Sequence, residues 1–158
     1  MKKSVSIVLL ITAVILTGAA LILLIVGPQN LMARMMGGAA APQGDLDTDT
    51  TRLSDQGLFE VTYSSSVTPI PINQIQTWTL HVETSDGQPV EQAEITVDGG
   101  MPQHGHGLPT QPQVTENLGE GNYLVEGLKF QMMGWWEVTF HITTSGESDS
   151  ITFNLVLN

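Results

Sequence analysis

Apolar residues follow two different patterns along the chain. The first is continuous: Val5 to Val26 is a run of 22 residues, and no side chain between Ser4 and Val26 is ionisable. At a rise of about 1.5 Å per residue, a helix of that length reaches about 33 Å, enough to cross the hydrocarbon core of a bilayer. Lys2 and Lys3 precede the run, and Arg34 is the one basic residue in the next twenty. That bias holds the N-terminus in the cytoplasm and places the residues after Pro28 outside. The pattern predicts a single-pass transmembrane anchor over residues 1–27. Ala39-Ala40-Ala41 resembles a signal-peptidase site, but it stands far beyond an apolar run already longer than a signal core. An uncleaved anchor is therefore the better reading, and with either reading the acidic remainder of the chain is extracytoplasmic.

The second pattern is alternation, and it begins at Leu58. In Thr77–Thr84, Trp78, Leu80 and Val82 share one side while Thr79, His81 and Glu83 share the other. Trp136, Val138, Phe140 and Ile142 alternate in the same way with Glu137, Thr139, His141 and Thr143. Shorter runs at Phe59–Tyr63, Ala93–Val97, Val114–Leu118, Tyr123–Leu128 and Ile151–Leu157 complete about seven strands. Asp86-Gly87, Gly119–Asn122 and Gly146–Asp149 supply turn chemistry between them. No window after residue 58 has the length and 3.6-residue period of an amphipathic helix. An all-β, immunoglobulin-like antiparallel sandwich over 58–158 is the fold this predicts. Residues 28–57, small and punctuated at Gly37–Pro42 and acidic at Asp45–Asp49, read as a flexible linker.

Composition divides the chain at the same place. The formal net charge is −11 and all 16 acids lie at or beyond Asp45, where only Arg52 and Lys129 are basic; that part carries −14 (2 − 16). Such a surface repels phosphate backbones, so nucleic acid is excluded as a partner. The absence of cysteine removes disulfides, zinc–thiolate sites, thiol nucleophiles and thiolate-ligated copper centres. Any metal site is then narrowed to histidine and methionine.

One stretch departs from the strand pattern: Asp98-Gly-Gly-Met101-Pro-Gln-His104-Gly-His106-Gly-Leu-Pro109-Thr-Gln-Pro112. In extended backbone His104 and His106 would project to the same side. Glycines around them remove obstruction, and prolines reduce what the loop loses on binding. Met101 adds a thioether three residues before His104. Imidazole with thioether favours copper, and Cu(I) in particular, over zinc, magnesium or calcium. Met132 and Met133 form a second pair, in Phe130-Gln-Met-Met-Gly-Trp135-Trp136. A sandwich that brought the two loops together would let one of these sulfurs complete the site while the other filled the core. The plainer alternative is a structural corner with solvated or backbone-bonded imidazoles. His81 and His141 fall on polar strand faces and read as surface residues. Catalytic signatures are missing: no G-x-S-x-G, H-E-x-x-H, P-loop or G-x-G-x-x-G occurs, so a binding module is expected rather than an enzyme.

Taken together, Val97-Asp-Gly-Gly-Met-Pro-Gln-His-Gly-His-Gly-Leu-Pro-Thr-Gln-Pro112 and Gly121-Asn-Tyr-Leu-Val-Glu-Gly-Leu-Lys-Phe-Gln-Met-Met-Gly-Trp-Trp-Glu-Val-Thr-Phe-His-Ile142 resemble the YtkA-like/FixH-like family, over residues 58–158. The resemblance implies a small bacterial extracytoplasmic β-sandwich, often tethered by one N-terminal helix. Met101, His104, His106 and Met132 match its motif, and Met133 takes a variable position. Its FixH-like branch implies copper handling or assembly of a copper-containing respiratory oxidase, with a copper protein or assembly factor as partner. The alternative is a metal-free interaction or scaffold domain that docks a protein through its acidic surface.

Overall fold

The computed structural model describes residues 46–158. The expected anchor over 1–27, and the part of the expected linker up to residue 45, lie outside the described residues. Among the described residues there are nine strands: β1 (Thr51–Leu53), β2 (Phe59–Ser65), β3 (Gln76–Thr84), β4 (Glu94–Met101), β5 (His106–Gly107), β6 (Gln113–Gly119), β7 (Asn122–Leu128), β8 (Gly134–Thr143) and β9 (Ser148–Leu157). They form a five-stranded sheet in the order β1-β2-β3-β7-β6 and a four-stranded sheet in the order β5-β4-β8-β9, and every pairing between them is antiparallel. Among the described residues no helix is long and apolar enough to cross a membrane.

All seven expected strands are present, and period-two patterning explains why. Trp136, Val138, Phe140 and Ile142 from β8 are fully buried, as are Trp78, Leu80 and Val82 from β3. Alternate residues of a strand face opposite sides, so each sheet presents one apolar face to the other. Aromatic rings join the layers: Tyr63 stacks on Trp78 with centroids 4.4 Å apart and meets Phe153 edge-on at 4.9 Å. Phe130 meets Trp136 edge-on at 5.3 Å.

Two strands were not expected. β1 lies within the stretch read as linker, yet Thr51–Leu53 pairs with Glu60–Thr62 of β2. Three residues are too few to show alternation, and the pairing partner supplies the order. The surrounding segment is also fastened to β9. Asp149 is buried at 4% exposure and accepts hydrogen bonds from the backbone N–H groups of Gln56 (3.0 Å), Leu58 (3.4 Å) and Ser150 (2.8 Å). Burial alone would raise the pKa of this carboxyl. The Ser54 hydroxyl and the three N–H groups outweigh it and hold the group below the usual carboxylate range. Arg52 adds an ion pair to Asp47 at 3.0 Å and donates to the Thr152 carbonyl. The second unexpected strand, β5, belongs to the candidate site.

Candidate metal site

The stretch Met101–Gly107 is a tight hairpin, not the extended loop that the i, i+2 spacing of its histidines suggested. Pro102–Gly105 form the turn, and Gly100 and Met101 of β4 pair with Gly107 and His106 of β5. The Met101 carbonyl accepts from the N–H groups of His104 (3.0 Å) and Gly105 (2.9 Å). Gly105 adopts φ +64°, a left-handed conformation that a side chain at this position would strain. His104 therefore sits on the turn and His106 on the strand leaving it. Their ring centroids stand 6.2 Å apart with planes inclined by 14°. The rings come together because the chain turns back on itself, while both remain exposed.

Sandwich packing brings the second methionine loop against this hairpin. Gly134 has φ +120°, and the Cε of Met101 lies 3.0 Å from where a Cβ on Gly134 would stand. A bare backbone at position 134 thus lets the loop rest on the methionine. Gln131 Nε2 also donates a long bond of 3.5 Å to the Gly107 carbonyl, and Trp136 Nε1 fixes the loop by donating to the Met132 carbonyl at 3.0 Å.

The methionines take different places from those expected. Met101 is in the core at 2% exposure, whereas Met132 and Met133 are 41% and 67% exposed. Neither of the pair fills the core; Met101 does. The aromatic residues flanking them also face elsewhere. Phe130 is buried against Trp136, and Trp135 donates its indole N–H to Asn154 Oδ1 at 3.0 Å.

Hydrogen bonding separates the four histidines into two groups. His81 Nδ1 lies 3.0 Å from Asn122 Oδ1, and its Nε2 lies 3.0 Å from Glu83 Oε1. His141 Nδ1 lies 2.8 Å from Ser150 Oγ. These rings serve the sheet surfaces on which they stand. Among the described residues, the ring nitrogens of His104 and His106 have no such partner, so their donor capacity is uncommitted.

Between Met101 and Pro112 the sequence has no carboxylate, but the fold sets two along a cleft that His106 also lines. His106 borders an open cleft of about 420 Å³ that is also lined by Asp98 and Glu137. Glu137 comes from β8, which pairs with β4 so that Glu137 faces Gly100; only the sheet register reveals it. No cluster of three or more His, Asp or Glu side chains converges among the described residues, so a closed imidazole–carboxylate cage is not formed there.

The donor set fits a soft cation. The two rings stand 6.2 Å apart between centroids in near-parallel planes, and both are exposed, so the side chains must rotate to turn their in-plane nitrogens on one shared ion. Two exposed thioethers occupy the adjoining loop.

The profile of one protein family, described as YtkA-like, matches residues 50–141. The chain belongs to the YtkA-like family. The matched stretch contains both the histidine hairpin and the methionine loop, and it begins in the segment that leads into β1. No curated protein matches the chain. Among solved structures, the ZirS C-terminal domain is similar over 73% of this chain and 78% of that one, at 16% identity and a TM-score of 0.36. That likeness is too loose to carry an argument about either fold or function.

Proposed function

We propose that this YtkA-like protein is a membrane-tethered, extracytoplasmic, non-catalytic copper-binding module that serves copper handling or the assembly of a copper-containing respiratory oxidase. The observation that carries the reading is the difference among the histidines. His81 and His141 are bonded within the sheets, whereas His104 and His106 are adjacent, exposed and without a protein partner among the described residues. A structural corner of backbone-bonded imidazoles would use those nitrogens to satisfy nearby backbone groups; a corner of solvated imidazoles would leave them free as well, and copper binding is what separates it from this reading.

In this reading His104 and His106 supply the nitrogen donors, and Met132 or Met133 supplies sulfur from the adjoining loop. Met101 belongs to the motif but lies in the core; its part is to support the hairpin from beneath, and it would have to leave the core to reach an ion. Copper would supply a soft centre that imidazole and thioether hold without thiolate. The carboxylates of Asp98 and Glu137 in the His106 cleft favour the approach of cations. An open site on a hairpin also suits passing an ion to a partner better than storing it.

X-ray absorption at the copper edge of the Cu(I)-loaded full chain tests the donor set. The reading predicts a first shell of both nitrogen and sulfur, with sulfur lost in a Met132→Leu/Met133→Leu variant. A shell of nitrogen and oxygen alone in the unaltered chain would remove the methionines from the site.

A further inference from the structure

The cleft at the far end of β9 has a chemistry unlike the rest of the surface. It encloses about 920 Å³, within the usual size range of small-molecule sites. One wall is the segment between β2 and β3, with Ile70 and Ile72; the other is the end of β9, with Leu155 and Val156. No Asp, Glu, Lys, Arg or His lines it, although this part of the chain carries −14. Two other clefts, of about 470 and 420 Å³, are each bordered by carboxylates: Glu94 in one, Asp98 and Glu137 in the other.

Tyr63 also lines this cleft. It is only 7% exposed, with its ring held between Trp78 and Phe153. Its hydroxyl makes no hydrogen bond among the described residues, whereas the other tyrosine, Tyr123, donates to the Val90 carbonyl at 2.6 Å. Burial pushes the Tyr63 phenol up, so the group stays a neutral donor. The hydroxyl is not among the buried polar atoms that lack a partner; it opens to the cleft, where a bound molecule can take the hydrogen bond that water otherwise accepts.

We propose that this cleft binds a neutral, mainly apolar small molecule whose carbonyl or ether oxygen accepts a hydrogen bond from Tyr63. The apolar walls take the hydrocarbon part. An anion is disfavoured because the lining holds no cation and the surrounding domain is acidic. A neutral acceptor matches both the apolar walls and the hydroxyl lining, in which Thr48, Thr50, Ser64 and Thr68 join Tyr63 and the Tyr63 ring is the one held in place by aromatic packing. The site is separate from the histidine hairpin and does not rest on the copper reading.

Fluorine NMR of the full chain labelled with 3-fluorotyrosine tests this, because the chain contains two tyrosines. A Tyr63→Phe variant assigns the resonances, and Tyr123 is the internal control. Titration with the neutral ketone 2-undecanone is expected to move the Tyr63 line saturably and leave Tyr123 in place. Decanoate is expected to bind at least tenfold more weakly. Val156→Asp alters a half-exposed wall residue (51% exposed) and is expected to abolish the shift, while an unchanged Tyr123 line shows that the fold is kept. A Tyr63 line that does not move, that moves without saturating, or that responds equally in Val156→Asp would overturn the proposal. So would decanoate binding as tightly as the ketone. A Tyr63 shift that follows protein concentration without any ketone would assign the cleft to a second copy of the chain and overturn it too.

Discussion

Asp149 and the histidine pair show how far single residues depend on partners distant in sequence. Asp149 gathers N–H groups from Gln56 and Leu58, more than ninety residues away, and from its neighbour Ser150. Its pKa is lowered on folding, so its stabilising effect is complete above the unfolded-state value near 4 and is lost as pH falls through the lower folded value. Asp149→Asn should therefore cost about 1–3 kcal/mol at pH 7, and progressively less in acid as the wild-type carboxyl takes up its proton. Urea unfolding of both proteins over a series of falling pH values checks this. None of it was legible in the sequence, where Asp149 was one residue of a turn signal. The polar-face positions of His81 and His141 could be read, because alternation fixes the side of a strand. Their bonds to Asn122 and Ser150 could not, because those partners stand on neighbouring strands.

At the scale of elements, the strands that could be read were those whose side-chain pattern had room to repeat. β8 and β9, each ten residues long, show the alternation several times over. β1, with three residues, shows none, and only its pairing with β2 makes it a strand. The hairpin at Met101–Gly107 escaped the sequence pattern for a related reason. Spacing of i, i+2 implies a shared side only in extended backbone, and the turn around Gly105 replaces that geometry. Contact between the hairpin and the methionine loop depends on Gly134, the residue on which Met101 rests. Gly134→Ala combines a strained positive φ with a close methyl contact. It should destabilise the fold by about 1 kcal/mol or more and weaken copper binding, while His141→Ala should leave that binding unchanged. Thermal unfolding together with a Cu(I) titration of each variant separates the two effects.

For the molecule as a whole, the two-sheet sandwich followed from the number of strands and their single apolar faces. The division into five and four strands did not, because it depends on pairings between distant segments. The charge imbalance has a consequence at this scale. With only Arg52 and Lys129 to offset the acids beyond residue 45, like charges repel across the surface, and ions that screen them favour the compact state. The melting temperature should rise as sodium chloride is raised from 10 to 150 mM. A fall would mean that the Arg52–Asp47 pair and its like outweigh the general repulsion.

Two imidazoles without protein partners among the described residues stand on the β4–β5 hairpin, and we propose that they hold copper. Competition between the full chain and a Cu(I)-specific chelator at pH 7 tests it most directly, with His104→Ala/His106→Ala measured alongside. The expected result is one ion per chain, an affinity at least about a hundredfold weaker in the double variant, and weakening at lower pH because protonated imidazole does not bind metal. An affinity unchanged in the double variant, or no retention of copper by the unaltered chain, would contradict it.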